Sequence, residues 1–67
     1  MTDSFWNYER AVLERVREYG PLTPAKVVDG LARQNMGRGE TLKAIRTLLQ
    51  SNRLRFTDMA NLEIVDE

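Results

Sequence analysis

Apolar side chains at Phe5, Tyr8, Val12, Val16 and Tyr19 recur at three- and four-residue steps, while Arg10, Glu14, Arg17 and Glu18 fall mostly opposite them. That period predicts an amphipathic helix over residues 4–19. Trp6 and Leu13 widen one edge of the apolar stripe. Glu9 falls near the middle of the stripe at ideal helical spacing. Either a partner such as an arginine or an irregular first turn would account for it, and both readings stand at this point. Gly20-Pro21 ends the helix, because glycine accepts the left-handed cap conformation and proline cannot continue a helix.

A second helix is expected over residues 24–34. Thr23 supplies an N-cap oxygen, Pro24 suits the first helical position, and Leu22 can staple onto Val27. Val27, Val28, Leu31 and Ala32 form its inner face, with Lys26, Asp29 and Arg33 outside. Gly30 weakens this helix by up to about 1 kcal/mol relative to alanine and suggests a close approach by another helix. After a turn at Asn35-Met36-Gly37-Arg38-Gly39, a third helix is expected over residues 40–51. Leu42, Ile45, Leu48 and Leu49 mark its core face. Glu40, Lys43, Thr47 and Gln50 mark the other face, flanked by Ala44, Arg46 and Ser51. Asn52 stands as a left-handed C-terminal cap.

Beyond Asn52 the period changes from helical to alternating. Arg53-Leu54-Arg55-Phe56-Thr57 and Leu62-Glu63-Ile64 flank turn residues, so a β-hairpin is expected over residues 53–65. A three-residue loop at Asp58 to Ala60 sets Phe56 opposite Leu62 and Leu54 opposite Ile64 on the core face. Arg55 then faces Glu63 outside, and a slip by one residue would mix the faces. Leu48 and Phe56 are both placed in the core, where truncation to alanine is expected to cost about 2–5 kcal/mol. The fold class is therefore mainly α with a C-terminal β-hairpin, in one domain covering residues 1–67.

With 67 residues, 42% of them apolar, and no cysteine, the core must hold by packing alone, without disulfide or zinc staples. No metal is expected. Apolar runs are far shorter than the roughly 20 residues that span a bilayer, and the first residues lack a basic leader, so a cytoplasmic location without a membrane partner is expected. The formal net charge is zero, but it is segregated along the chain. Residues 1–23 carry a net of −1, residues 24–57 a net of +5, and the remaining residues a net of −4. Blocks of this kind suggest one basic side.

The order of helix, proline-bearing turn, short helix, glycine turn, longer helix and hairpin resembles the winged helix-turn-helix superfamily. The stretch from Leu22 to Val65 carries the resemblance. Within it, the run from Thr41 to Arg55, Thr-Leu-Lys-Ala-Ile-Arg-Thr-Leu-Leu-Gln-Ser-Asn-Arg-Leu-Arg, is similar to the third helix and first wing strand of bacterial and archaeal regulators. Asn52 departs from the usual glycine there. The resemblance implies a small transcription regulator that binds duplex DNA, with the third helix in the major groove and the wing near the backbone or minor groove. The residues it implicates are Arg38, Lys43, Ala44, Arg46, Thr47 and Gln50 on and before the helix, with Arg53 and Arg55 on the wing. Arginine and lysine suit guanine edges or phosphates, glutamine suits adenine, and threonine can touch a thymine methyl.

Other readings of the same residues stand beside this one. The polar face of the third helix is equally that of any solvated helix, and Arg53 and Arg55 equally serve as edge-strand charges that block aggregation. Gly37-Arg38-Gly39 lacks the lysine and serine or threonine of a nucleotide-binding loop. Phe5, Trp6 and Leu13 are core candidates that also suit a homodimer or partner contact through the first helix. A winged helix used for protein interaction without DNA binding is thus an alternative, supported by the zero net charge and the acidic tail; RNA binding is a third. With no histidine or cysteine and no carboxylate pair set in a cleft, an enzyme is not expected, nor is a cofactor.

Overall fold

The alternation between capping residues and apolar stripes produces three helices and a two-stranded antiparallel sheet, in the order α1 (Ser4–Tyr19), α2 (Pro24–Ala32), α3 (Arg38–Gln50), β1 (Leu54–Phe56) and β2 (Leu62–Ile64). The computed structural model describes the backbone of residues 4–65 and the side chains of residues 8–65. The side chains of Phe5 and Trp6, expected at an interface, lie outside the described residues.

Each helix stops where the sequence offers a residue that tolerates positive φ. Gly20 (φ 81°) follows α1, Asn35 (φ 66°) follows α2, and Asn52 (φ 63°) follows α3. At Asn52 the Arg53 amide donates to the Leu48 carbonyl at 2.8 Å and the Asn52 amide to Leu49 at 3.2 Å. These two bonds close the last turn and satisfy carbonyls that would otherwise be orphaned. Thr23 caps α2 as expected, its Oγ1 accepting from the Lys26 amide at 3.2 Å. Regular helix ends at Ala32, two residues short of the expected end, because residues 33–35 tighten into a turn. The third helix begins two residues early, at Arg38, with Gly37 in the extended cap position and no side-chain cap.

The hairpin takes the expected register, with Leu54 paired to Ile64, Arg55 to Glu63 and Phe56 to Leu62. Its three-residue loop is closed by the Thr57 amide donating to the Asn61 carbonyl at 2.7 Å, and Ala60 sits at φ 62°. Leu22 adds a contact the alternation did not reveal. Its amide and carbonyl exchange hydrogen bonds with those of Leu62, at 3.1 and 2.6 Å. Leu62 is thereby flanked on both sides, by Leu22 and by β1, and is fully buried.

The core gathers Val12 and Val16 of α1, Val27, Val28 and Leu31 of α2, Ala44, Ile45 and Leu48 of α3, and Leu54 and Leu62 of the sheet. Two expectations about it are corrected. Leu42 is 52% exposed, because the buried arc of α3 is centred on Thr41, Ala44, Ile45 and Leu48 rather than on the larger Leu42 and Leu49. The small side chains at Thr41 and Ala44 let α3 lie close against its neighbours. Phe56 is 51% exposed despite facing the core side of the hairpin, because it sits on the outer strand beyond the helices that cover Leu54.

Gly30 is buried, but what approaches it is not a helix backbone. A Cβ there would collide with the Arg15 guanidinium, which also stacks over the Tyr19 ring at 4.7 Å from its centroid. Glu9 is half-buried in an unbroken helix, so the irregular-turn reading does not hold.

Candidate functional site

Burial of one side of α3 leaves its other side in solvent. Thr41 and Ala44 at the front, with Ile45 and Leu48 behind them, are buried, while Gly39, Lys43, Arg46 and Gln50 are exposed and Thr47 is half-buried. The spacing of Lys43, Arg46 and Gln50 puts them on one helical face. Ala44 is corrected: it is 0% exposed, turned into the core with Ile45 and Leu48, and cannot touch a ligand. Leu42 takes the place at the edge of the outer face that was expected of Ala44. The signal for it was present in the sequence. At about 100° per residue, Leu42 lies farther than Thr41 from the centre of the Ala44, Ile45 and Leu48 arc.

The start of α3 is tied to α1 by a side-chain hydroxyl. The Gly37 amide donates to the Tyr8 hydroxyl at 2.9 Å, and the Gly37 carbonyl accepts from both the Thr41 hydroxyl, at 2.8 Å, and the Thr41 amide, at 3.0 Å. The buried Thr41 hydroxyl therefore has its partner, which removes the cost of enclosing it. A Cβ at Gly39 would meet nothing, whereas one at Gly37 would make ordinary contact with the Tyr8 hydroxyl at 3.5 Å. Arg38, the first residue of α3, pairs with Asp29 of α2 at 3.1 Å.

The hairpin arginines separate. Arg55 is exposed and its Nε donates to Glu63 across the strands. Arg53 borders α1, lining the same shallow depressions as Leu13, Arg17, Glu9 and Arg10. The structure thus brings Lys43, Arg46, Thr47 and Gln50 together on one helix, leaves Arg38 and Arg55 in exposed ion pairs, and sets Arg53 beside the first helix. Exposed pairs of this kind contribute at most about 1 kcal/mol, so a phosphate can compete for either arginine. The outer face offers two cations without an ion pair among the described residues, an amide and a hydroxyl. Such a set can bind an anion and read hydrogen-bonding edges, and it holds no nucleophile paired with a base.

Leu13, expected at an interface, is half-buried and packed against the core from its edge. Among the described residues, no helix is long and apolar enough to cross a membrane. Compared with protein-family models, with curated proteins and with solved structures, the chain matches none.

Proposed function

We propose that this chain is a winged-helix protein that binds duplex DNA and regulates transcription by binding alone. The observation that carries the reading is the division of α3. Its inner side is wholly committed to the core, while Lys43, Arg46 and Gln50 stand free on the outer side. A helix presented in this way can enter the major groove, which admits an α-helix. Lys43 and Arg46 meet guanine edges or phosphates, Gln50 an adenine, and Thr47 or the exposed Leu42 a thymine methyl. Arg38 and Arg55 would exchange their carboxylate partners for backbone phosphate, anchoring the helix without reading sequence.

A duplex titration of the full chain at two salt concentrations tests this. With four cations able to reach phosphate, log K should fall with log salt at a slope no steeper than about −4. Replacing Lys43 or Arg46 by alanine should weaken binding by about 1–3 kcal/mol where the residue makes a good base contact. Unchanged binding in both variants moves the site off α3, and absence of duplex binding at low salt removes the reading altogether. A protein-interaction module is the second reading. It is favoured by the half-exposed Leu42 and Phe56, apolar surface that a duplex covers only in part. A single-stranded ligand that outcompetes duplex would point instead to RNA.

A further inference from the structure

A groove runs along the side of α1 that carries Leu13. One shallow depression of about 120 Å³ is lined by Leu13, Arg17, Asn52, Arg53, Ile64 and Val65. A second shares Leu13 and Arg53 with it and adds Glu9 and Arg10. Lys43, Arg46, Thr47 and Gln50 line neither depression, so this surface can be occupied while the outer face of α3 is engaged. The half-buried Leu13, Ile64 and Val65 give it an apolar strip set among polar side chains.

Its walls are cationic. Arg10, Arg38 and Arg55 are each engaged with a carboxylate, whereas Arg17 and Arg53 are exposed and have no ion pair among the described residues. Among the described residues, Glu9 is the one carboxylate lining the groove. Two guanidinium groups thus stand beside an apolar strip without an ion pair among the described residues.

We propose that this groove docks an acidic peptide segment of a protein partner, which places an apolar side chain against Leu13, Ile64 and Val65 and flanking carboxylates on Arg17 and Arg53. Guanidinium groups match carboxylates in a planar, two-pronged geometry, so charge and shape favour this occupant together. The volume suits a single side chain, well short of the roughly 300–1,000 Å³ of small-molecule pockets. A nucleic-acid strand would satisfy the arginines but would bring little apolar surface to cover the strip.

The test is a titration of the isotopically labelled full chain with a short, end-capped synthetic peptide in which leucines are flanked by aspartates. Saturable shifts confined to the amides of Leu13, Arg17, Arg53, Ile64 and Val65 are expected. Arg17→Glu combined with Arg53→Glu should weaken binding by roughly tenfold or more, while the unfolding midpoint stays unchanged. Should that variant fail to fold, the shift map of the unaltered chain decides alone. Several results would overturn the proposal: equal binding by a peptide with glycine in place of leucine, shifts centred on Lys43 and Arg46, or displacement of the peptide from the groove by a single-stranded oligonucleotide. Self-association of the chain, abolished by Arg53→Glu, would likewise overturn it by making a second copy the occupant.

Discussion

The two ends of the hairpin obey the same alternation and meet opposite fates. At its base Leu54 is 1% exposed and packs into the core; at its tip Phe56, on the same face and strand, is 51% exposed and Met59 is 79% exposed. Alternation decides which face a side chain takes, but what lies above that face decides whether it is buried. The cross-strand pair Phe56 and Leu62 makes the point most closely, because the two residues share a rung and a face. Leu62 lies between β1 and Leu22 and has no exposure, while Phe56 lies on the outer strand.

The largest expected effect comes from removing the buried member of that rung. Leu62→Ala should cost about 2–5 kcal/mol, since it opens a cavity in a core with few large side chains to collapse into it. For so small a domain that is a large part of the total stability. Urea unfolding would measure it as a lowered midpoint. A loss below about 1 kcal/mol would show that the buried member of the rung is no more committed to the core than its exposed partner.

Phe56→Ala sharpens the comparison from the other side. The earlier expectation of a core-sized loss is replaced by about 1 kcal/mol or less, because the ring already leaves half its surface in water. If the loss equals that of Leu62→Ala in the same urea series, the tip must fold down onto the helices in solution. A Phe56→Ala chain that keeps its midpoint but loses partner or duplex binding would assign the exposed ring a role in contact.

How much of this was legible depended on whether a feature was local. The caps at Thr23 and Asn52, the hairpin register and the Arg55 to Glu63 pair follow from nearest neighbours along one helix or across one turn, and they are present. The Leu22 to Leu62 bridge joins residues forty positions apart, and no local pattern marks it. In α3 the hydrophobicity of Leu42 outweighed the smallness of Ala44 in the sequence reading. Packing ranked them the other way, because a close helix contact selects for small side chains as much as for apolar ones. Arg53 was grouped with Arg55 by proximity in sequence. Its carbonyl accepts from the Val65 amide at 3.1 Å, which keeps it on the hairpin, and its side chain also borders α1 beside Leu13 and Arg17, a neighbourhood that no local pattern marks.

The smallest expected effect lies at the tip itself. Ala60 holds φ at 62°, in the left-handed region, and it does so without the polar side chain that eases the same conformation at Asn35 and Asn52. Three-residue hairpin loops ordinarily carry glycine at this position. Left-handed backbone costs an L residue about 1–2 kcal/mol, while glycine gives back about 0.4–1 kcal/mol through the entropy of the unfolded chain, so Ala60→Gly should stabilise by about 0.5–1 kcal/mol. The urea midpoint should rise with its slope unchanged. A fall instead would mean that the Ala60 methyl makes a contact worth more than the strain it imposes. The tip would then resemble the base in being held by packing, and its exposure would no longer measure its commitment to the fold.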